Sequence, residues 1–272
     1  MRILIPTDFS KCSIDAIEMA KQMAKKLNAE IHLLHVVSDF FPWNAISDDD
    51  KQADFNKIAI KKLSKIQDEM RQEGFATSYF MRNGAFLNEI EKHIESYDYD
   101  LIVMGSHGTS GKSEWFIGSN TQKTIRTLQN IVLVVKERMK QLSFDDLLYV
   151  TSFTDQEQES FRLFVDFIKP LGVKRIHLIN INTSGFFSSP SEEMKEEIKA
   201  FKNIAKDYEI ISHMYSDYSV GSGVRHFCED NNIDVISISN HARHPIKRVF
   251  QGSNVEIIVN HSQLPVLTID YK

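Results

Sequence analysis

Short apolar runs alternate with longer stretches of helical period along the whole chain. Residues 2–6 form a short apolar run, and 31–37 have the pattern of a strand buried on both faces. Between them Ala16, Ile17, Ala20, Ala24 and Leu27 recur at helical spacing behind Ser10, a hydroxyl residue suited to cap a helix start. Runs at 75–81, 101–104 and 131–135 predict three more strands. A long charged helix is expected over 49–73, another over 87–96, and one from Gly118 to near Asn130. Residues 38–50 carry Phe40, Phe41, Pro42 and Trp43, a polar and aromatic connection that either covers a crevice as a lid or packs against the domain or a partner. Strands alternating with helices predict an α/β domain, doubly wound around a mainly parallel five-stranded sheet with helices on both faces.

The pattern then repeats. After a charged connector at 136–144, strands are expected over 147–151, 176–181, 235–239 and 265–269, and helices over 157–168, 192–206 and 223–230. Ile31–His32–Leu33–Leu34 matches Ile176–His177–Leu178–Ile179, and Asp100–Leu101–Ile102 matches Asp234–Val235–Ile236. From there to the next helix the copies align without gaps, 134 positions apart: His107 meets His241, and Gly118–Ser119–Asn120 meets Gly252–Ser253–Asn254. Such a period is far longer than the units of a solenoid, so the expected organisation is two domains in tandem, over 1–138 and 145–272.

Composition narrows the partners. The 272 residues have ordinary hydrophobic and charged content, 42% and 25%. The first 140 residues hold 19 Lys+Arg and 19 Asp+Glu, whereas the remainder hold 13 and 18, so all of the net charge of −5 lies in the second half. Neither half has the basic excess of a nucleic-acid binder. Residues 1–6 are too short an apolar run for a signal peptide, and no run approaches the roughly 18 residues of a membrane span. Cys12 and Cys228 form no motif, so a reducing cytoplasm is the expected compartment and neither a disulfide scaffold nor a zinc site is indicated.

The chemistry concentrates in 100–121, where a buried strand breaks at Gly105 and Gly108 and a helix starts with Gly118, Ser119, Asn120 and Thr121. A helix start favours anions and glycine admits close approach to the backbone, which makes this a phosphate cradle. It is not a P-loop. Gly111–Lys112–Ser113 ends like one, but the glycine required five positions earlier is Ser106. In a doubly wound sheet ligands bind beyond the carboxyl ends of the strands, which brings Thr7 and Asp8, Val36 and Val37, and Met104 to Thr121 together. The Asp8 carboxylate can accept bonds from ribose hydroxyls or merely turn the chain before its helix. A valine at 36 or 37 could serve adenine only through its backbone. His107 is either a phosphate or metal contact or a loop histidine bonded to the backbone.

The spacing Gly105-x2-Gly108-x9-Gly118-Ser119, with the strand before it and the helix after it, resembles the ATP-binding signature of the universal stress protein family. The resemblance implies ribose on Asp8, adenine near Val36, and ribose and phosphates on the glycine loop and the Gly118–Ser119 start. It also implies domains that associate through their last strand and a regulatory role in stress survival. In the second copy Ser239 replaces Gly105, Ala242 replaces Gly108 and Ser152 stands where Asp8 should be, so ATP is expected in the first half only. The second half is then a degenerate partner in an intramolecular pseudo-dimer, with strands 131–135 and 265–269 as its contact. Arg243, His244, Lys247 and Arg248 gather in the second copy's loop, as a solvated loop or an anion site. Two other readings stay open: a slow ATPase or autophosphorylation at Ser113, Ser119 or Thr121, for which only Asp8 and His107 offer a base, and a ligand-free scaffold. Whether Mg2+ accompanies ATP, and whether two chains form a homodimer, is not legible in the residues.

Overall fold

The computed structural model describes residues 1–37, 49–106, 118–136, 141–184, 191–240 and 254–270. The first half runs β1 (Arg2–Pro6), α1 (Lys11–Leu27), β2 (Glu30–Val37), α2 (Asp49–Gln72), β3 (Thr77–Asn83), α3 (Phe86–Ser96), β4 (Leu101–Ser106), α4 (Ser119–Thr127) and β5 (Val132–Lys136). The second half repeats the order with β6 (Asp146–Val150), α5 (Asp155–Ile168), β7 (Arg175–Asn182), α6 (Glu192–Ile204), β8 (Glu209–Ser216), α7 (Val220–Asp230), β9 (Val235–Ser239), α8 (Asn254–His261) and β10 (Val266–Ile269).

Among the described residues the strands form one ten-stranded sheet in the order β3-β2-β1-β4-β5-β10-β9-β6-β7-β8. Every pairing is parallel except the central one, where β5 and β10 run antiparallel with Leu133 opposite Leu267. Those two leucines are equivalent in the 134-residue repeat, so a pseudo-twofold axis passes between them, as in an isologous dimer. The two predicted five-stranded sheets therefore join edge to edge through the apolar closing strands, and the join leaves neither of these edges unpaired.

Each face of the sheet carries one core that crosses the junction. On one face Met19, Met23 and Leu63 of α1 and α2 continue into Phe161, Phe164 and Phe201 of α5 and α6. On the other, Ile90 and Ile125 of α3 and α4 continue into Phe227, Ile258 and Val259 of α7 and α8. Among the described residues no helix is long and apolar enough to cross a membrane.

Two elements lay outside the apolar pattern. β8 is an edge strand whose residues are all half-buried or exposed, and Ser212 and His213 interrupt any apolar run; its pairing to β7 over eight residues makes it a strand. The short α8 follows a stretch in which no helical face can be read.

A buried polar chain lies on the α3 side. His93 Nε2 is 2.8 Å from the Tyr99 hydroxyl, which is 2.7 Å from His32 Nδ1, and His32 Nε2 is 3.0 Å from Glu30. His93 is 1% exposed, and among the described residues its Nδ1 has no partner. Burial, reinforced by the charge of Arg82 and by His32, lowers its pKa to about 4. Because the unfolded value is about 6.5, the unfolded chain binds the extra proton between these limits. Stability from this group is complete above pH 6.5 and is lost as the pH falls toward 4, at most about 3 kcal/mol. Denaturant titrations at pH 7 and pH 4.5 should show this loss, and His93→Phe should flatten the slope; an unchanged slope would assign it to other groups.

Candidate functional site

Strand order reverses between β1 and β4, and beyond their carboxyl ends opens a cavity of about 200 Å3. This is the place where open α/β sheets hold ligands. The residues singled out from the sequence come together here: Thr7, Asp8, Val36, Met104, Gly105, Gly118, Ser119, Asn120 and Thr121 all line the cavity. His107 and Gly108 lie outside the described residues, as do Ser113, the 38–48 connection proposed as a lid, and the basic cluster from Arg243 to Arg248.

The β1–α1 turn is built by short hydrogen bonds. The Thr7 hydroxyl donates to Ser13 Oγ at 3.0 Å and accepts from the Phe9 N–H at 3.1 Å, while Asp8 Oδ1 accepts from the Ser10 N–H at 2.9 Å. Ser10 then caps α1 by accepting from the Ser13 N–H. The turn forces Phe9 to a φ of 63°, a left-handed conformation costing a bulky residue about 1–2 kcal/mol. Its ring is held 4.6 Å from that of His35, and His35 Nδ1 donates to the Thr7 carbonyl at 2.8 Å. The exposed Asp8 carboxyl is pushed up by partial burial, but bonds from the side chain and backbone of Ser10 and from Ser13 outweigh this and hold its pKa below the usual value. It is a carboxylate at neutral pH.

The glycines separate into two kinds. A Cβ on Gly105 would lie 2.1 Å from the Cys12 carbonyl oxygen and 2.4 Å from its carbon. The close approach it permits is that of α1 onto β4, and this corrects the expectation that a ligand claims the space. Among the described residues, a Cβ on Gly118 would meet nothing nearer than Thr121 Oγ1 at 3.9 Å. Gly118 caps α4 with φ −52° and ψ 137°, a conformation open to any residue, and it lines the cavity. Thr121 is buried and donates to the Gly105 carbonyl at 3.2 Å, tying the first turn of α4 to β4. Ser119 and Asn120 are exposed beside it.

Two helix starts, those of α1 and α4, border the cavity, and neither has an acidic residue in its first turn. Their leading N–H groups have no intrahelical acceptor and carry partial positive charge; at α1 the Ser10 cap and the Asp8 carboxylate answer part of it, whereas among the described residues no side chain caps α4. The arrangement suits an anion at α4 and a hydroxylated group at Asp8.

A sequence profile described as the universal stress protein family matches residues 1–136, half of the chain. The chain belongs to the universal stress protein family. A universal stress protein of Methanocaldococcus jannaschii is 34% identical over 149 residues, covering 52% of this chain and 84% of the relative. YxiE, a universal stress protein of Bacillus subtilis, is 27% identical over 147 residues, 50% of this chain and 98% of the relative. Over the whole length the fold is similar to that of a universal stress protein from Archaeoglobus fulgidus, with a TM-score of 0.82 at 20% identity, covering 100% of this chain and 98% of that one.

This universal stress protein has a second crevice, also about 200 Å3, beyond the ends of β6 and β9. The turn leading into it is the same, with Phe153 at φ 54° and Thr151 accepting from its N–H. Thr7-x-Phe9 and Thr151-x-Phe153 mark the repeated turn in the sequence. Here, however, Glu157 takes the place of Ser13. Its Oε2 accepts from the Thr151 hydroxyl at 2.7 Å, the Ser152 N–H at 2.9 Å and the Thr154 N–H at 3.4 Å. The buried carboxylate uses the turn's donors and would repel a phosphate. Ser239 is accommodated by donating to Ser160 of α5 at 2.8 Å. Glu157 stands six positions after Thr151 as Ser13 does after Thr7, a difference outside the glycine signature.

Proposed function

We propose that the first half of this universal stress protein binds an adenine nucleotide, ATP foremost, and that the protein acts as a nucleotide-binding regulator of the stress response in the cytoplasm. The reading is supported above all by one juxtaposition: the start of α4, with no acidic residue in its first turn, lines the same cavity as the Asp8 carboxylate. A phosphate chain suits the α4 end, and a ribose suits the carboxylate. Adenine would lie toward Val36, and Mg2+, where it accompanies ATP, would sit on the phosphates. The second half, with Glu157 in its crevice, stays empty of nucleotide, and the chain is its own pseudo-dimer.

Isothermal titration with ATP, ADP and AMP tests the reading. One site per chain is expected. Asp8→Ala should weaken it by about 1–3 kcal/mol, the scale of hydrogen bonds to a charged group. No heat with any of the three nucleotides would sink the proposal. Loss of stability with affinity retained would make Asp8 a structural residue of the turn.

A further inference from the structure

The helix that starts at the nucleotide crevice is held from behind by the other half. α4 has only nine residues. In its own half its first turn is tied by Thr121, and Ile125 enters the core. Among the described residues, its other polar anchors come from the second half. Arg126 donates through Nε and Nη2 to the two carboxylate oxygens of Glu256, at 2.5 and 2.6 Å, and Gln122 donates to the same carboxylate at 2.8 Å. The Glu256 side chain is 5% exposed. Asn240 donates at 2.6 Å to the carbonyl of Ile125, in the last turn of α4, where a helix has no acceptor bonds of its own.

The arrangement is reciprocal. Lys136 of the first half donates to the Val259 carbonyl of α8, and Val259 is the repeat equivalent of Ile125. Gln122 and Glu256 are also equivalent positions, meeting across the pseudo-twofold axis. The bidentate charge pair, however, is one-sided. Asn260 stands where a second Arg126 would be, so the pair grips Arg126 and Gln122 of the nucleotide-side helix.

We propose that Glu256 and Asn240 are positioning residues for the first half's nucleotide site. The second half, lacking the signature itself, fixes α4 so that its first turn presents N–H groups to the phosphates. This inference rests on the nucleotide reading. A turn held in place before the ligand arrives loses little freedom on binding, so affinity should follow the clamp.

The test compares wild type, Glu256→Gln and Asn240→Ala by ATP titration and by amide hydrogen exchange without nucleotide. Glu256→Gln should raise the Kd about tenfold, and the amides of residues 119–122 should exchange faster while those of α3 do not change. The double variant Arg126→Glu with Glu256→Arg should restore both. Unchanged Kd and unchanged α4 exchange in folded protein would overturn the proposal and leave these contacts to stability alone. Should Glu256→Gln fail to fold, Asn240→Ala carries the same two readouts. If wild type binds no nucleotide, the functional reading falls by itself, and the exchange measurement still decides whether the second half fixes α4.

Discussion

Gly118→Val is expected to abolish nucleotide binding and leave the fold intact. The N-cap conformation of Gly118 is one that valine adopts without strain, and among the described residues a new Cβ would meet only Thr121 Oγ1, at 3.9 Å. The added side chain therefore costs the apo protein little. It projects into the open space from which a phosphate would reach the helix start, and the crevice is small enough, about 200 Å3, that a branched side chain occupies the approach. Titration should show no measurable ATP binding, with a thermal midpoint close to wild type. Undiminished affinity would refute the placement of phosphates at α4. A collapsed midpoint would show that the glycine serves the fold.

Gly105→Ala should do the opposite. A methyl group there would sit 2.1 Å from the Cys12 carbonyl oxygen and 2.4 Å from its carbon, distances no packed structure sustains. The obstacle is backbone in the first turn of α1, so no rotamer change relieves it and the helix must lift off β4. Overpacking of a tight core commonly costs 1–3 kcal/mol, and an immovable neighbour places this substitution at about 3 kcal/mol or more. Lifting α1 also disturbs the Ser10 and Ser13 bonds that hold the Asp8 turn, so affinity should drop as a consequence. Chemical denaturation measures the stability term directly. A midpoint equal to wild type would show that α1 can stand off the strand.

Much of the molecule could be read from spacing. Period-two and period-3.6 runs are imposed by burial on strands and helices, so the alternation, the doubled domain and the apolar closing strands are visible without coordinates. The site residues could be grouped for a related reason: in a doubly wound sheet the carboxyl ends of β1, β2 and β4 fall on one edge, so Thr7, Asp8, Val36, Met104 and Gly118 must be neighbours. Edge strand β8 was illegible because it is half-exposed on both faces and its residues carry no burial pattern. The strain at Phe9 and Phe153 was hidden because backbone dihedrals depend on the hydrogen bonds of a folded turn.

What residue order could not settle was which partner occupies each space. Gly105 and Gly118 are the same residue in the same signature, yet one is filled by a helix of its own domain and the other faces a cavity. Only the distances to Cys12 separate them. Glu157 looks like an ordinary helix-start acid until its carboxylate is seen accepting the turn's own N–H groups. Likewise, nothing in the spacing says that Glu256 holds Arg126, because contacts 130 positions apart are set by the antiparallel join of β5 and β10. Local pattern dictates which elements form, since burial and backbone bonding act over a few residues. The use made of each crevice depends on contacts between distant elements, which exist only once the two halves have packed.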